Sequence, residues 1–146
     1  MKRLFIYYSL TGNGDKIAKV LKEKNVEVRK VETTKKMPKK FFFRVLKGGF
    51  LAGLNHKEKL QEYDTDISSY DEIIIGSPVW NGKFSCPINT VLKDLDLANK
   101  KISFILYAGS GEASKIQKII DKKYQGSSLI ILKEPLKYHQ ELEKLS

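Results

Sequence analysis

Runs typical of strands alternate with runs typical of helices along the chain, and this alternation limits its fold more than any other feature. Residues 72–76 (EIIIG) form an unbroken β-branched run, which is typical of a strand buried on both faces. Residues 4–8, 101–107 and 128–132 are also predicted strands. Residues 26–31 alternate apolar with charged side chains, as a half-buried or edge strand does.

Amphipathic stretches separate these strands. We predict helices at about 15–24, 87–97 and 113–124, and a short terminal helix that begins at Pro135. Strands that alternate with helices form an open parallel sheet with helices on both faces. The expected fold is therefore α/β, a three-layer α/β/α sandwich on a five-stranded parallel sheet, and 146 residues suit one domain, 1–146.

The turn after the first strand has the composition of a phosphate-binding loop. Its residues are Ser9, Leu10, Thr11, Gly12, Asn13 and Gly14, and they lead into the first helix. Hydroxyl groups, free backbone N–H groups and the positive end of the helix dipole together suit a phosphate dianion. A simple helix cap explains the same residues, so this loop alone does not decide between the two roles.

Two further loops follow strands that end at the same edge of the expected sheet, where ligands bind in such folds. The second loop, 76–82 (GSPVWNG), contains the only Trp of the chain, flanked by turn residues. A Trp there serves either as core packing or as a platform for a flat ring, and the turn residues favour the platform. The third loop, 108–111 (AGSG), lets backbone N–H groups approach a ligand closely.

Three such loops on one edge resemble the flavodoxin family, and the resemblance covers nearly the whole chain. It implies the strand order 2-1-3-4-5 and the cofactor FMN, with the first loop on the phosphate and the other two on the isoalloxazine ring. Trp80 would stack on the ring, and the Asn81–Gly82 peptide would reorient on reduction so that its carbonyl accepts a hydrogen bond from flavin N5. The residues that the resemblance assigns to FMN are Ser9, Leu10, Thr11, Gly12, Asn13, Gly14, Ser77, Pro78, Val79, Trp80, Asn81, Gly82, Ala108, Gly109, Ser110 and Gly111.

The chain departs from the family pattern in two of the loops. Gly14 stands where the family often has a hydroxyl residue, so a backbone N–H would replace one phosphate contact. The third loop lacks the tyrosine that many flavodoxins have there. One face of the ring would then be open to NAD(P)H or a quinone, or be covered by Phe84 or by the segment 33–59.

The formal net charge of +10 indicates an anionic partner. Because electron-carrying flavodoxins are usually acidic, we expect an acidic redox partner and a less negative reduction potential. Eight of the basic residues lie in the segment 33–59, interleaved with Phe and Leu. We predict a helical covering segment there. A lid over the flavin and contact of 35–59 with an anionic membrane surface are alternatives, and a specific nucleic-acid partner is not expected.

Few side chains suggest chemistry of their own. The lone Cys86 and two histidines form no metal-binding or nucleophilic pattern, so we expect a cofactor to carry the chemistry. A single Cys and a first strand that follows Met1 almost directly predict a cytoplasmic protein.

Two functions remain: an FMN-dependent redox protein, either an electron carrier or a small NAD(P)H-dependent reductase, and a basic binding module with a vestigial flavin site. The three loops favour the first.

Overall fold

The computed structural model describes residues 1–34 and 59–146. Its strands are β1 (Arg3–Tyr7), β2 (Glu27–Lys30), β3 (Glu72–Trp80), β4 (Lys83–Phe84), β5 (Lys101–Ala108) and β6 (Ser128–Lys133). Its helices are α1 (Asn13–Glu23), α2 (Cys86–Asp94) and α3 (Ser114–Lys123), followed by a 3₁₀ helix, His139–Leu145. The predicted covering segment falls mostly on residues 35–58, which lie outside the described part.

Five parallel strands form the sheet in the order β2-β1-β3-β5-β6, and this confirms the order predicted from the sequence. The short strand β4 is an addition, since it pairs antiparallel with the end of β3. A two-residue turn, Asn81-Gly82, joins these two strands. Both turn residues have positive φ, 50° and 74°, as a type I′ hairpin turn requires.

Two apolar cores cover the two faces of the sheet. Alternate residues of β1 enter different cores because successive side chains of a strand point to opposite faces. On one face, Val91 of α2 and Ile116 of α3 are fully buried. On the other face, Ile17 and Leu21 of α1 are buried, and Leu142 of the 3₁₀ helix packs beside them. The three predicted layers are therefore present.

Two predicted boundaries are wrong. Strand β3 continues through Trp80, because β5 and β4 supply partners for residues beyond Gly76. The terminal helix begins at His139 and not at Pro135. Pro135 instead lies in a turn in which the N–H groups of Lys137 and Tyr138 both donate to the carbonyl of Glu134.

The described helices are all too short or too polar to span a bilayer, as far as residues 1–34 and 59–146 show.

Candidate functional site

A cavity of about 470 Å³ lies where β1, β3 and β5 end, and parts of all three predicted loops line it. The predicted residues in its wall are Leu10, Thr11, Asn13, Pro78, Val79, Trp80, Asn81, Ala108 and Gly109. An adjoining cavity of about 360 Å³ shares four of these residues and adds Gly82 and Ser110. The other predicted residues, Ser9, Gly12, Gly14, Ser77 and Gly111, line neither cavity.

Ser9 shapes the first loop from within. Its hydroxyl oxygen accepts hydrogen bonds from the N–H groups of Gly12, at 3.2 Å, and Gly14, at 2.9 Å. The side chain is buried, and Gly12 at the start of α1 has a φ of +99°, which favours glycine. These contacts hold the turn that points the N-terminus of α1 toward the cavity.

Gly14 is required by packing beneath the loop. A Cβ atom at this position would lie 2.8 Å from the Tyr107 hydroxyl oxygen, 2.8 Å from the Tyr7 ring and 2.9 Å from the Ser9 Cβ. No hydroxyl-bearing side chain therefore fits where the flavodoxin pattern often has one. The departure seen in the sequence reflects the two tyrosines under this loop.

Asn13 links the first loop to the C-terminal part of the chain. Its side-chain N–H donates to the Thr11 hydroxyl oxygen at 3.1 Å, and its carbonyl oxygen accepts from the N–H of Leu136 at 3.0 Å. The turn that contains Leu136 thereby becomes a wall of the cavity, a role that the sequence analysis missed. The missed lining residues of the main cavity are Tyr107, Glu134, Leu136 and Lys137.

An acidic residue lies in the first turn of α1, and nearby groups balance it. Asp15 accepts hydrogen bonds from the Tyr7 hydroxyl at 2.8 Å and from Lys30, which is 3.0 Å away at its closest. Burial and the bond to Asp15 raise the pKa of Tyr7 well above its usual value, so the phenol stays protonated. Burial alone would lower the pKa of Lys30, but its contacts with Asp15 and Glu32 outweigh burial and raise it. Lys30 therefore remains charged and offsets a carboxylate that would repel a phosphate.

Tyr107 joins the first and third loops. Its hydroxyl donates to the backbone carbonyl of Tyr8, at the end of β1. Burial raises the pKa of Tyr107 well above its usual value, so the group remains neutral. Its part at the site is to hold two loops together.

The Ser77 hydroxyl stabilises the second loop through hydrogen bonds to the backbone. This fully buried hydroxyl donates to the carbonyl of Pro78 at 2.8 Å and accepts from the N–H of Ser85 at 3.0 Å. Trp80 is only 3% exposed and meets Tyr8 edge to face, with ring centroids 5.9 Å apart. The prediction that Trp80 lies on a loop is wrong, and its exposed surface is too small for a flavin ring to lie along the indole.

The third loop leaves open space beside the cavity. Within the part of the chain that the structure describes, a Cβ atom at Gly109 would have no atom within 4 Å, whereas one at Gly82 would lie 2.9 Å from the Lys115 side chain. Phe84, an expected cover for the ring, is instead buried against Phe104. The other expected cover, the segment 33–59, falls largely outside the described residues.

These features fit an elongated ligand with an anionic tail and a flat head. One end of the cavity has Thr11 and Asn13 at the N-terminus of a helix, where backbone N–H groups and the helix dipole attract phosphate. The other end has apolar atoms of Val79 and Ala108 with an open approach at Gly109. A volume of about 470 Å³ lies in the range of small-molecule and cofactor sites.

Comparison with known proteins decides between the two functions left open by the sequence. Residues 1–119 match the family model described as NADPH-dependent FMN reductase. The chain belongs to this family. As a member of the FMN reductase family it uses FMN, and its function is FMN-dependent redox chemistry. The alternative function, that of a basic binding module with a vestigial flavin site, is not supported. No curated protein matches the chain.

Solved structures support the fold of this FMN reductase family member. A protein from Bacteroides eggerthii assigned as a flavoprotein is similar with a TM-score of 0.76 at 17% identity, over 95% of this chain and 94% of that one. A second such protein, from Bacteroides uniformis, has a TM-score of 0.74 at 22% identity, over 95% and 97%. A flavoprotein from Lactobacillus acidophilus, solved in complex with FMN, has a TM-score of 0.66 at 23% identity, over 88% and 89%.

Proposed function

We propose that the protein is a small FMN-dependent reductase that takes reducing equivalents from NAD(P)H and passes them to a quinone-like acceptor. The observation that carries the proposal is the pair of adjoining cavities, which share four lining residues and reach from the N-terminus of α1 to the third loop. Membership of an NADPH-dependent family supports the choice of donor. The Lactobacillus acidophilus flavoprotein, which shares the fold, is a complex with FMN.

We assign the phosphate of FMN to the first loop. Thr11 and Asn13 border the cavity at the start of α1, and their side chains are already hydrogen-bonded to each other. Ser9, Gly12 and Gly14 would act indirectly, by holding the backbone of the loop. Lys137, on the facing wall, supplies a positive charge on the same cavity.

We assign the flavin ring to the space between the second and third loops. Val79, Asn81 and Gly109 line both adjoining cavities and would border it. Bound FMN supplies hydride and single-electron transfer. The chain supplies position, because the Tyr107 hydroxyl holds the first and third loops together.

The second substrate would enter at the third loop. Among residues 1–34 and 59–146, no atom lies within 4 Å of a Cβ built at Gly109, and this space would give a planar nicotinamide or quinone an approach to the ring. The net charge of +10 attracts an anionic dinucleotide, and it attracts an acidic protein partner by the same physics. Cys86 is the single cysteine of the sequence and its thiol is buried, which agrees with a reducing compartment such as the cytoplasm.

Anaerobic reduction tests this function. When NADPH or NADH is added to the FMN-loaded protein, we expect the flavin absorbance in the blue to bleach, and added benzoquinone to restore it with repeated turnover. The protein stripped of FMN is the control and should not oxidise NADPH. If dithionite bleaches the bound flavin but neither nucleotide does, the protein is an electron carrier and the proposal is wrong.

A further inference from the structure

A third cavity, of about 490 Å³, lies between α2 and α3 and shares no lining residue with the two flavin cavities. It is as large as the main flavin cavity. The residues that line it are Lys83, Phe84, Asn89, Leu92, Lys93, Ile119, Lys123 and Tyr124. We call it the α2–α3 cavity.

The two walls of the α2–α3 cavity are formed by residues that share one face of each helix. Leu92 and Lys93 lie three and four residues after Asn89, so all three share one face of α2. Ile119 and Lys123 are four residues apart on α3. On each helix, a partly buried apolar side chain packs on the core and an exposed lysine follows it. The walls are therefore apolar below and cationic at the rim.

Aromatic rings line the base of the cavity and are fixed in place. Phe84 is buried, and its ring lies 5.6 Å from that of Phe104. Tyr124 meets Phe104 edge to face at 5.2 Å. Burial raises the pKa of Tyr124, so its hydroxyl is a neutral hydrogen-bond donor at ordinary pH. A flat apolar ligand would thus meet the partly exposed ring of Tyr124, which packs on Phe104, and one hydrogen-bond donor.

The charge of the cavity wall has a single sign. Among the described residues, three lysines line it and no carboxylate does; Asp94 and Asp121, on the same two helices, are absent from the wall. Within residues 1–34 and 59–146, neither Lys93 nor Lys123 takes part in an ion pair. An anion bound at the rim would therefore not have to displace an existing carboxylate partner of either lysine.

We propose that the α2–α3 cavity is a second ligand site and that it takes a planar aromatic anion, such as an arenecarboxylate or arenesulfonate. The ring would lie against the partly exposed ring of Tyr124, beside Leu92 and Ile119, and the acid group would lie between Lys93 and Lys123. The size of the cavity suits a small molecule. Because Lys83 directly follows the Asn81-Gly82 turn, the ligand would bind beside the loop that borders the flavin.

Calorimetric titration of the FMN-loaded protein with naphthalene-2-sulfonate tests the site. We expect one equivalent to bind while the flavin stays bound, and the methyl resonance of Ile119 to shift. The double variant Lys93→Gln, Lys123→Gln should lose at least about tenfold in affinity, because hydrogen bonds to charged groups are the strong ones. The matched control is Lys19→Gln, Lys22→Gln, which removes two exposed lysines from α1 on the other face. It should change affinity less than about twofold.

Several results would overturn the proposal. If the control variant weakens binding as much as the test variant, the attraction is only that of the net charge. If the neutral analogue naphthalene-2-methanol binds equally well, the lysines do not select an anion. If dodecyl sulfate binds the cavity and naphthalene-2-sulfonate does not, the site takes an aliphatic chain. Release of FMN on titration would place the ligand in the flavin cavity instead.

Discussion

Replacing Gly76 by alanine is expected to lower the free energy of unfolding by about 3 kcal/mol, at the upper end of the usual cost of overpacking a core. Gly76 lies in the central strand β3, in register with Tyr7 of β1. An added Cβ atom would be 2.5 Å from two ring carbons of Phe5 and 2.8 Å from the Cβ of Tyr7. Phe5 is fully buried and stacked on the Tyr7 ring at 4.8 Å, so its ring cannot move aside without repacking the core.

The matched control is the same substitution at Gly109. A Cβ atom there meets no atom of the described residues within 4 Å, so Gly109→Ala should leave stability unchanged or raise it by about 0.5 kcal/mol. Urea unfolding of both variants without FMN, followed by circular dichroism, gives the comparison. Equal stability of the two variants would mean that Phe5 and Tyr7 do not fill the space above Gly76.

The sequence was enough to predict the layers because they depend on periodicity, whereas the strand order was implied by the resemblance of the three loops to the flavodoxin family. The β-branched run at 72–76 and the helical spacing of the stretches between strands each have one simple structural solution. The ends of strands and helices were less predictable, because they depend on which neighbouring segments pair or pack with them. Strand β3 continues to Trp80 because β4 folds back on it, and the turn Asn81-Gly82 makes that return possible.

The candidate site likewise has a part that the sequence could predict and a part that it could not. Loops that directly follow predicted strands were found, because the sheet brings those strand ends to one edge. The wall formed by Leu136 was missed because it depends on a hydrogen bond to Asn13, more than a hundred residues earlier in the chain.

Local composition misjudged one side chain and left another unexplained. Turn residues around Trp80 indicated a ring platform, whereas the hairpin places the indole in the core against Tyr8. Gly14 was seen as a departure from the family pattern, and the structure gives its reason, because the two tyrosines beneath the loop exclude any larger side chain. Both features depend on residues from distant strands, so a single loop could not reveal them.

Replacing Thr11 by valine should weaken FMN binding by roughly 10-fold to 100-fold and leave riboflavin binding within about twofold. Valine keeps the shape of the side chain and removes its hydroxyl. A hydrogen bond to a charged group contributes about 1.5–3 kcal/mol, and each 1.4 kcal/mol is about tenfold in affinity. Riboflavin lacks the phosphate, so its affinity should not depend on the lost hydroxyl. Quenching of flavin fluorescence on titration measures both affinities.

The comparison of two ligands separates a phosphate contact from general damage to the loop. Thr11 also accepts a hydrogen bond from Asn13, so its loss could loosen the loop and the wall that Leu136 forms. Such loosening would weaken the binding of FMN and of riboflavin equally. That result would contradict the assignment of the phosphate to this loop. Thr65→Val is the control, because Thr65 is exposed and lies outside the cavity wall. It should bind FMN and riboflavin as the unmodified protein does.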